Sequence, residues 1–303
     1  MSARMRRVAT VAWVVVMAVG FGWLLVDRRE AIGDLLGQVR VGWLVVALVA
    51  STLTLVPQAW FWHRALRALG EPTRPGVVVL ATCRALLTRY VPGGVWFAAG
   101  RAALLARRGI GLPALAATGT VELAMSVSVA LALGSTLLGV RDDLPGWSRW
   151  LGPVLLVGLL AATPRLNRLL GWVAGRRGTA LPAPMARSSM LGLMAVNAGY
   201  WLLIGAVFWV YARGFGLDVA LVPTQGAFMV AWGVGFLSPF APQGLGVFEV
   251  LLAALLEGTF ADLVAVVAGF RALLLVRDVA VWGVAEVVAR SVAEEGRERN
   301  DAR

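Results

Sequence analysis

The chain has 303 residues, 59% of them hydrophobic and 15% charged, with a mean hydropathy of +0.78. This composition describes an all-α polytopic membrane protein and leaves no stretch for a soluble domain of useful size. The net charge of +11 is carried by arginine alone, since lysine is absent; it points to anionic headgroups and positive-inside topology rather than nucleic acid.

The basic residues 1–7 lead into an apolar run over 8–26. The run is followed by Asp27-Arg28-Arg29-Glu30 rather than a small-residue cleavage site, which predicts a retained first span. Further apolar segments lie at 42–62, 76–100, 114–139, 147–163, 188–210, 219–256 and 261–288. Six of the eight segments read as full spans. The two beginning at Gly76 and Val219 are interrupted, by Pro92-Gly93-Gly94 and by the stretch from Ser238 to Gly246 that contains Pro242, Gly244 and Gly246. A broken helix frees backbone N–H and C=O groups that lipid cannot satisfy, so it persists at membrane depth only against protein or a wet cavity.

The arginines set the topology. The loop 164–187 carries Arg165, Arg168, Arg176, Arg177 and Arg187 and no acidic residue, which assigns it to the cytoplasm. Threading from that anchor puts both ends of 76–100 inside, both ends of 219–256 outside, and both chain termini in the cytoplasm. The arms of 76–100 are about 14 residues, or about 21 Å of helix, short of the ~30 Å hydrocarbon core. Repeat one, about 42–139, therefore runs opposite to repeat two, about 188–290, with a polar tail over 291–303. The expected fold is six full spans plus two broken or re-entrant helical hairpins in an inverted-topology repeat, one integral membrane domain over 1–303 in the cytoplasmic (inner) membrane.

Charged residues inside apolar segments cost about 2.5–3.5 kcal/mol each at a helix centre and so face the bundle interior. They are Arg84, Arg89, Arg101, Glu122, Glu249, Arg271, Arg277 and Asp278. Arginines in or beside the breaks are candidates to receive an anion, because helix ends attract anions too. The carboxylates either neutralise an arginine such as Arg271 or Arg84 or receive a cationic group. Arg89 and Arg277 are expected to snorkel toward an interface. Trp43, Trp60, Trp62, Trp147 and Trp150 read as an interfacial belt, and His63 as an interfacial residue. Trp96, inside the first interrupted segment, is a candidate to flank a lipid chain. With one Cys (Cys83) and one His (His63), an intramolecular disulfide, a zinc cluster and a Cys/His nucleophile pair are excluded.

The run Tyr90-Val91-Pro92-Gly93-Gly94-Val95-Trp96, then Arg101, Leu104-Leu105 and Glu122, then Pro242-Gln243-Gly244-Leu245-Gly246-Val247-Phe248-Glu249 and Arg271, resembles the lysylphosphatidylglycerol synthase transmembrane region family. The resemblance spans nearly the whole chain and implies a lipid-flipping membrane module, in some members fused to an aminoacyl-transferase domain and in others standing alone near glycosyltransferases. This chain departs from that pattern at Phe248, where many relatives carry Arg, and in the short tail after Arg290, which leads us to expect no lipid lysylation.

The expected function is a non-enzymatic lipid transporter or flippase. It would move an anionic or aminoacylated phospholipid, or a polyprenyl-phosphate-linked lipid, between leaflets. The substrate-binding candidates are Arg84, Pro92, Gly93, Gly94, Trp96, Arg101, Glu122, Pro242, Gly244, Gly246, Glu249 and Arg271, with no cofactor and no metal. The alternative is an accessory subunit that presents a lipid-linked substrate to a partner glycosyltransferase or other lipid-modifying enzyme. A lipid-phosphate-modifying enzyme is disfavoured by the lack of an acid/base set, and no phosphate-binding loop of the G-x-x-x-x-G-K-[ST] type is present.

Overall fold

The computed structural model describes residues 37, 39–91, 95–141, 145–176, 184–238, 244, 246–256 and 260–301. The first expected span and the residues Pro92, Gly93, Gly94 and Pro242 lie outside the described residues. Among the described residues the regular elements are all helical: α1 (Val41–Leu53), α2 (Leu55–Ala68), α3 (Pro75–Arg84), a 3-10 turn (Leu86–Tyr90), α4 (Trp96–Ala106), α5 (Leu112–Leu138), α6 (Ser148–Arg176), α7 (Arg187–Gly214), α8 (Leu221–Leu237), α9 (Val247–Leu255) and α10 (Phe260–Asp301).

Three helical runs are long and apolar enough to cross a bilayer: Val41–Ala68, Leu112–Leu138 and Arg187–Gly214. The longer but more polar α6 and α10 cover the expected spans at 147–163 and 261–288. The first interrupted segment is a 10-residue α3, the 3-10 turn and an 11-residue α4. At 1.5 Å per residue, α3 and α4 reach only about 15–17 Å each. The second arm ends at Ala106 rather than Gly100, because the apolar run continues through Leu104 and Leu105. The second interrupted segment is a 17-residue α8 and a 9-residue α9.

One discontinuity has a local cause. Pro57 has no N–H to offer and crowds the carbonyl four residues back, so α1 yields to α2 at Thr54. The Thr54 N–H turns back to the Ser51 carbonyl at 3.2 Å, and the Thr54 hydroxyl donates to the same oxygen at 2.6 Å.

Buried apolar side chains form two clusters. One joins α2, α3 and α4 to the first halves of α5 (Ala114, Leu115, Val121, Met125) and α7 (Met190, Leu193, Met194). The other joins α1, α8, α9 and α10 to the second halves of the same two helices, at Val129, Ala130 and Leu138 of α5 and Trp201, Ile204, Phe208 and Tyr211 of α7. Each interrupted segment thus has its own core, and α5 and α7 thread both. They are tied at the junction, where Asn197 Nδ2 donates to Ser126 Oγ at 3.0 Å and Trp201 Nε1 to the Ser126 carbonyl at 3.1 Å.

Helices α5 and α8 pack backbone to backbone. A Cβ on Gly226 would meet Leu138 N at 2.8 Å and Gly134 O at 2.9 Å, and a Cβ on Gly134 would meet Met229 Cβ at 2.7 Å. Small residues permit this approach, and dispersion between the backbones replaces the hydrophobic drive that lipid does not supply. Gly226→Ala is expected to cost about 1–3 kcal/mol by overpacking, read as a lower unfolding temperature in detergent. Gly158→Ala on α6, with open space around its Cβ, is the control and should leave that temperature unchanged.

Candidate functional site

The junction between the two cores is polar. On α10, adjacent opposite charges interrupt an apolar run: Arg277 is 2% exposed and Asp278 0%. Arg277 Nε lies 2.6 Å from Asp278 Oδ1, and its Nη1 donates to the Ser51 carbonyl at 2.7 Å and to Thr54 Oγ1 at 3.0 Å. The kink set by Pro57 therefore supplies the acceptors that a buried guanidinium needs. Asp278 Oδ2 also accepts the Tyr90 hydroxyl at 2.9 Å and pairs with Arg89 Nη1 at 3.2 Å, so one carboxylate serves two arginines. Arg89 in turn donates to Gln58 Oε1 at 3.3 Å and lies over the Phe97 ring at 4.3 Å.

A second pair joins α4 to α5. Arg101, 1% exposed, places Nη2 2.5 Å from Glu122 Oε2. Its guanidinium carbon is 4.0 Å from the Phe97 ring centre and 4.5 Å from that of Trp62. The aromatic faces stabilise the cation, yet Arg101 Nε and Nη1 have no hydrogen-bond acceptor among the described residues. Two buried donors without acceptors carry a desolvation penalty that an incoming oxyanion would remove.

The third pair stands at the second interruption. Glu249 Oε1 meets Arg271 Nε at 2.6 Å, while Glu249 Oε2 accepts the Gly246 N–H at 2.6 Å. The carboxylate thereby satisfies a donor at the start of α9 and joins α9 to α10. Gly244 and Gly246 adopt φ of +68° and +85°, conformations that glycine adopts at little cost. At Gly244 a Cβ would also lie 2.7 Å from the Gly235 carbonyl carbon, so this break folds back on the end of α8.

Tyr200, on α7 between the cores, lies near Arg89, Arg277, Glu122 and Asp278, and Tyr90 lies near Arg271. Among the described residues of this cluster Arg89, Arg101, Arg271 and Arg277 face Glu122, Glu249 and Asp278, one positive charge in excess.

The structure thus pairs Arg101 with Glu122 and Glu249 with Arg271. It holds Arg84 apart, with Arg84 Nε 2.8 Å from Glu286 Oε1. The side chain of Trp96 is half-exposed, and its carbonyl accepts Thr88 Oγ1 at 3.0 Å. Four expectations are corrected. Arg277 does not snorkel: it pairs with Asp278 and donates from Nη1 to Ser51 and Thr54 inside. Arg89 likewise turns inward to Asp278 and Gln58. Trp62 is fully buried beneath Arg101 rather than interfacial, and His63, also buried, binds Thr73 Oγ1 at 2.8 Å. Sequence reading missed Tyr90, Gln58 and Tyr200, whose polar groups become informative only once arginines surround them. Among the described residues no group of three His, Cys, Asp or Glu side chains converges to hold a metal ion.

Long apolar helices enclosing a paired charge cluster define a multi-pass membrane protein. The chain belongs to the lysylphosphatidylglycerol synthase TM region family, whose model matches residues 10–281. That membership ties it to a membrane lipid-related function. No curated protein matches the sequence.

Asp278→Asn leaves the buried Arg277 and the partly buried Arg89 without their carboxylate and is expected to cost about 3–5 kcal/mol. By contrast Asp218, 95% exposed at its ion pair with Arg213, should cost at most about 1 kcal/mol when changed to Asn. Unfolding of the purified variants in detergent checks the contrast. A double-mutant cycle of Glu249→Gln and Arg271→Gln should show a coupling above about 0.5 kcal/mol, with the double variant less impaired than additivity demands.

Proposed function

We propose that this protein moves a phosphate-bearing lipid between the leaflets of the cytoplasmic membrane. The substrate is an anionic or aminoacylated phospholipid or a polyprenyl-phosphate-linked lipid. The observation that carries the reading is the buried cluster at the meeting of the two interrupted segments, with its excess positive charge and the two unsatisfied donors of Arg101. A phosphodiester headgroup brings one negative charge and two exposed oxygens. It would neutralise the cluster and accept from Arg101 Nε and Nη1. Arg271, more exposed than Glu249 at their pair, is the arginine placed to meet the headgroup while the acyl chains remain in lipid.

In this reading the polar core is the central binding site of an inverted-topology repeat, about 42–139 and 188–290 within one membrane domain, with both termini cytoplasmic. The two cores sharing α5 and α7 support it: α3 and α4 open from one side of the junction, α8 and α9 from the other. Movement of α3–α4 against α8–α9 would expose the cluster to each leaflet in turn. The protein then performs no covalent chemistry, and a partner enzyme makes or consumes the lipid.

The test is translocation of fluorescent phosphatidylglycerol in vesicles containing the purified protein. Arg271→Gln should reduce the rate at least about tenfold, as expected when a charge-assisted contact is lost. Arg213→Gln, at an exposed pair, should leave it unchanged. Lipid binding without translocation in the wild-type protein would favour the presenting-subunit alternative instead.

A further inference from the structure

A second basic feature lies outside the central cluster. On α3, Val77, Leu80, Ala81 and Arg84 recur at helical spacing and form one wall of a cavity of about 240 Å³. Leu104, Arg107 and Arg108, at the end of α4 and just beyond it, form the other wall. The cavity therefore fills the angle between the two arms of the first interrupted segment. Glu286, the partner of Arg84, lies eight residues beyond Asp278, about 12 Å further along α10. Because Arg89 and Tyr90 pair with Asp278 while Arg84 pairs with Glu286, the cavity sits nearer than the central cluster to the end of α10 that carries Arg290.

The charge balance here differs from that of the central cluster. Arg107 and Arg108 are exposed and pair with no carboxylate among the described residues. Glu71 accepts the Gly111 N–H at 3.2 Å and does not line the cavity. Among the described residues, the three arginines of the lining and Glu286 leave two positive charges in excess, above a floor of Val77, Leu80, Ala81 and Leu104. A phosphate monoester carries about −1.5 to −2 charge at pH 7 and three terminal oxygens, whereas a phosphodiester carries a single charge.

We infer that this cavity is a separate oxyanion site selective for a terminal phosphate monoester. The ligand is the headgroup of a lipid monoester or free inorganic phosphate, and Glu286 occupies Arg84 in its place when the site is empty. The inference deepens the proposed lipid-handling role by giving that role a loading site of stated selectivity on one face. Arg107 and Arg108 capture the phosphate and Arg84 completes the fork once released from Glu286. The apolar floor receives the first carbons of a lipid tail.

The experiment titrates the full-length protein in neutral detergent with dihexanoyl phosphatidic acid, dihexanoyl phosphatidylglycerol and inorganic phosphate, followed calorimetrically. The wild-type protein should bind phosphatidic acid at least about tenfold more tightly than phosphatidylglycerol. Arg107→Gln/Arg108→Gln, two exposed positions whose loss spares the cores, should abolish that preference. Glu286→Gln should tighten phosphatidic acid binding several-fold, about threefold or more, by freeing Arg84, an effect opposite in sign to that of removing a merely structural ion pair. Phosphate alone matching phosphatidic acid would assign the site to a free anion, and tighter phosphatidic acid binding would assign it to a lipid headgroup; both outcomes support an oxyanion site. Unchanged phosphatidic acid binding in the double arginine variant, or no preference in the wild type, overturns it. Failure of this inference is separable from failure of the proposed function. If translocation is lost in Arg271→Gln while the double arginine variant binds normally, only the cavity proposal falls. If monoester binding is lost in the double arginine variant while Arg271→Gln still translocates, only the central reading falls.

Discussion

A guanidinium inside an apolar bundle has to be answered by an acceptor, and the architecture follows from that requirement. Four arginines enter the interior of this bundle, and each is met by a carboxylate from another helix or from its own neighbour. Those meetings decide which segments touch. Arg101 with Glu122 holds α4 to α5, Arg271 with Glu249 holds α10 to α9, and Arg277 with Asp278 draws in α1 through Ser51 and the 3-10 turn through Tyr90. Buried ion pairs are poor sources of net stability because desolvation offsets their attraction. Their persistence in an apolar chain is better explained by the specificity they impose and by what their charge can bind.

The breaks and the charges depend on each other. Ending a helix inside the bundle exposes donors and acceptors, and charged side chains are among the strongest groups that can satisfy them. Glu249 does this for the Gly246 N–H while pairing Arg271, and Arg277 adds a donor to the Ser51 carbonyl beside the Pro57 kink. Such joints are polar inside and apolar outside, which keeps bare backbone from lipid. The two apolar cores on either side share α5 and α7, and α10 packs across the junction on α3 and the 3-10 turn.

Much of the interior was legible in the chain. Arg101, Glu122, Glu249 and Arg271 stood out because charge in an apolar run is costly, and Gly244 and Gly246 because their spacing beside Pro242 announces a turn. The partner assignments were less legible. Position in the chain suggests Arg271 or Arg84 as partners for Glu122, whereas Glu122 takes Arg101 and Arg84 takes Glu286, eight residues beyond the aspartate that serves Arg89. Arg277 had been read as reaching for an interface because a long side chain near a helix end commonly does so. The acceptors that hold it inside come from a helix more than two hundred residues earlier in the chain.

The sequence by itself determined that this is a helical membrane protein, where its apolar helices run, and that two of its segments are interrupted, because hydropathy, proline and glycine act through neighbouring residues. It also determined the family, through motifs spread along the chain. Only the tertiary structure decided which arginine meets which carboxylate, that Trp62 lies beneath a cation rather than at an interface, that Tyr90 and Tyr200 belong to the polar core, and that Arg107 and Arg108 line a cavity with Arg84. The physical reason is range. Helix formation and insertion are settled within a few turns, whereas the partner of a buried charge is chosen by whichever distant helix the packing brings within about 3 Å, the reach of a hydrogen bond.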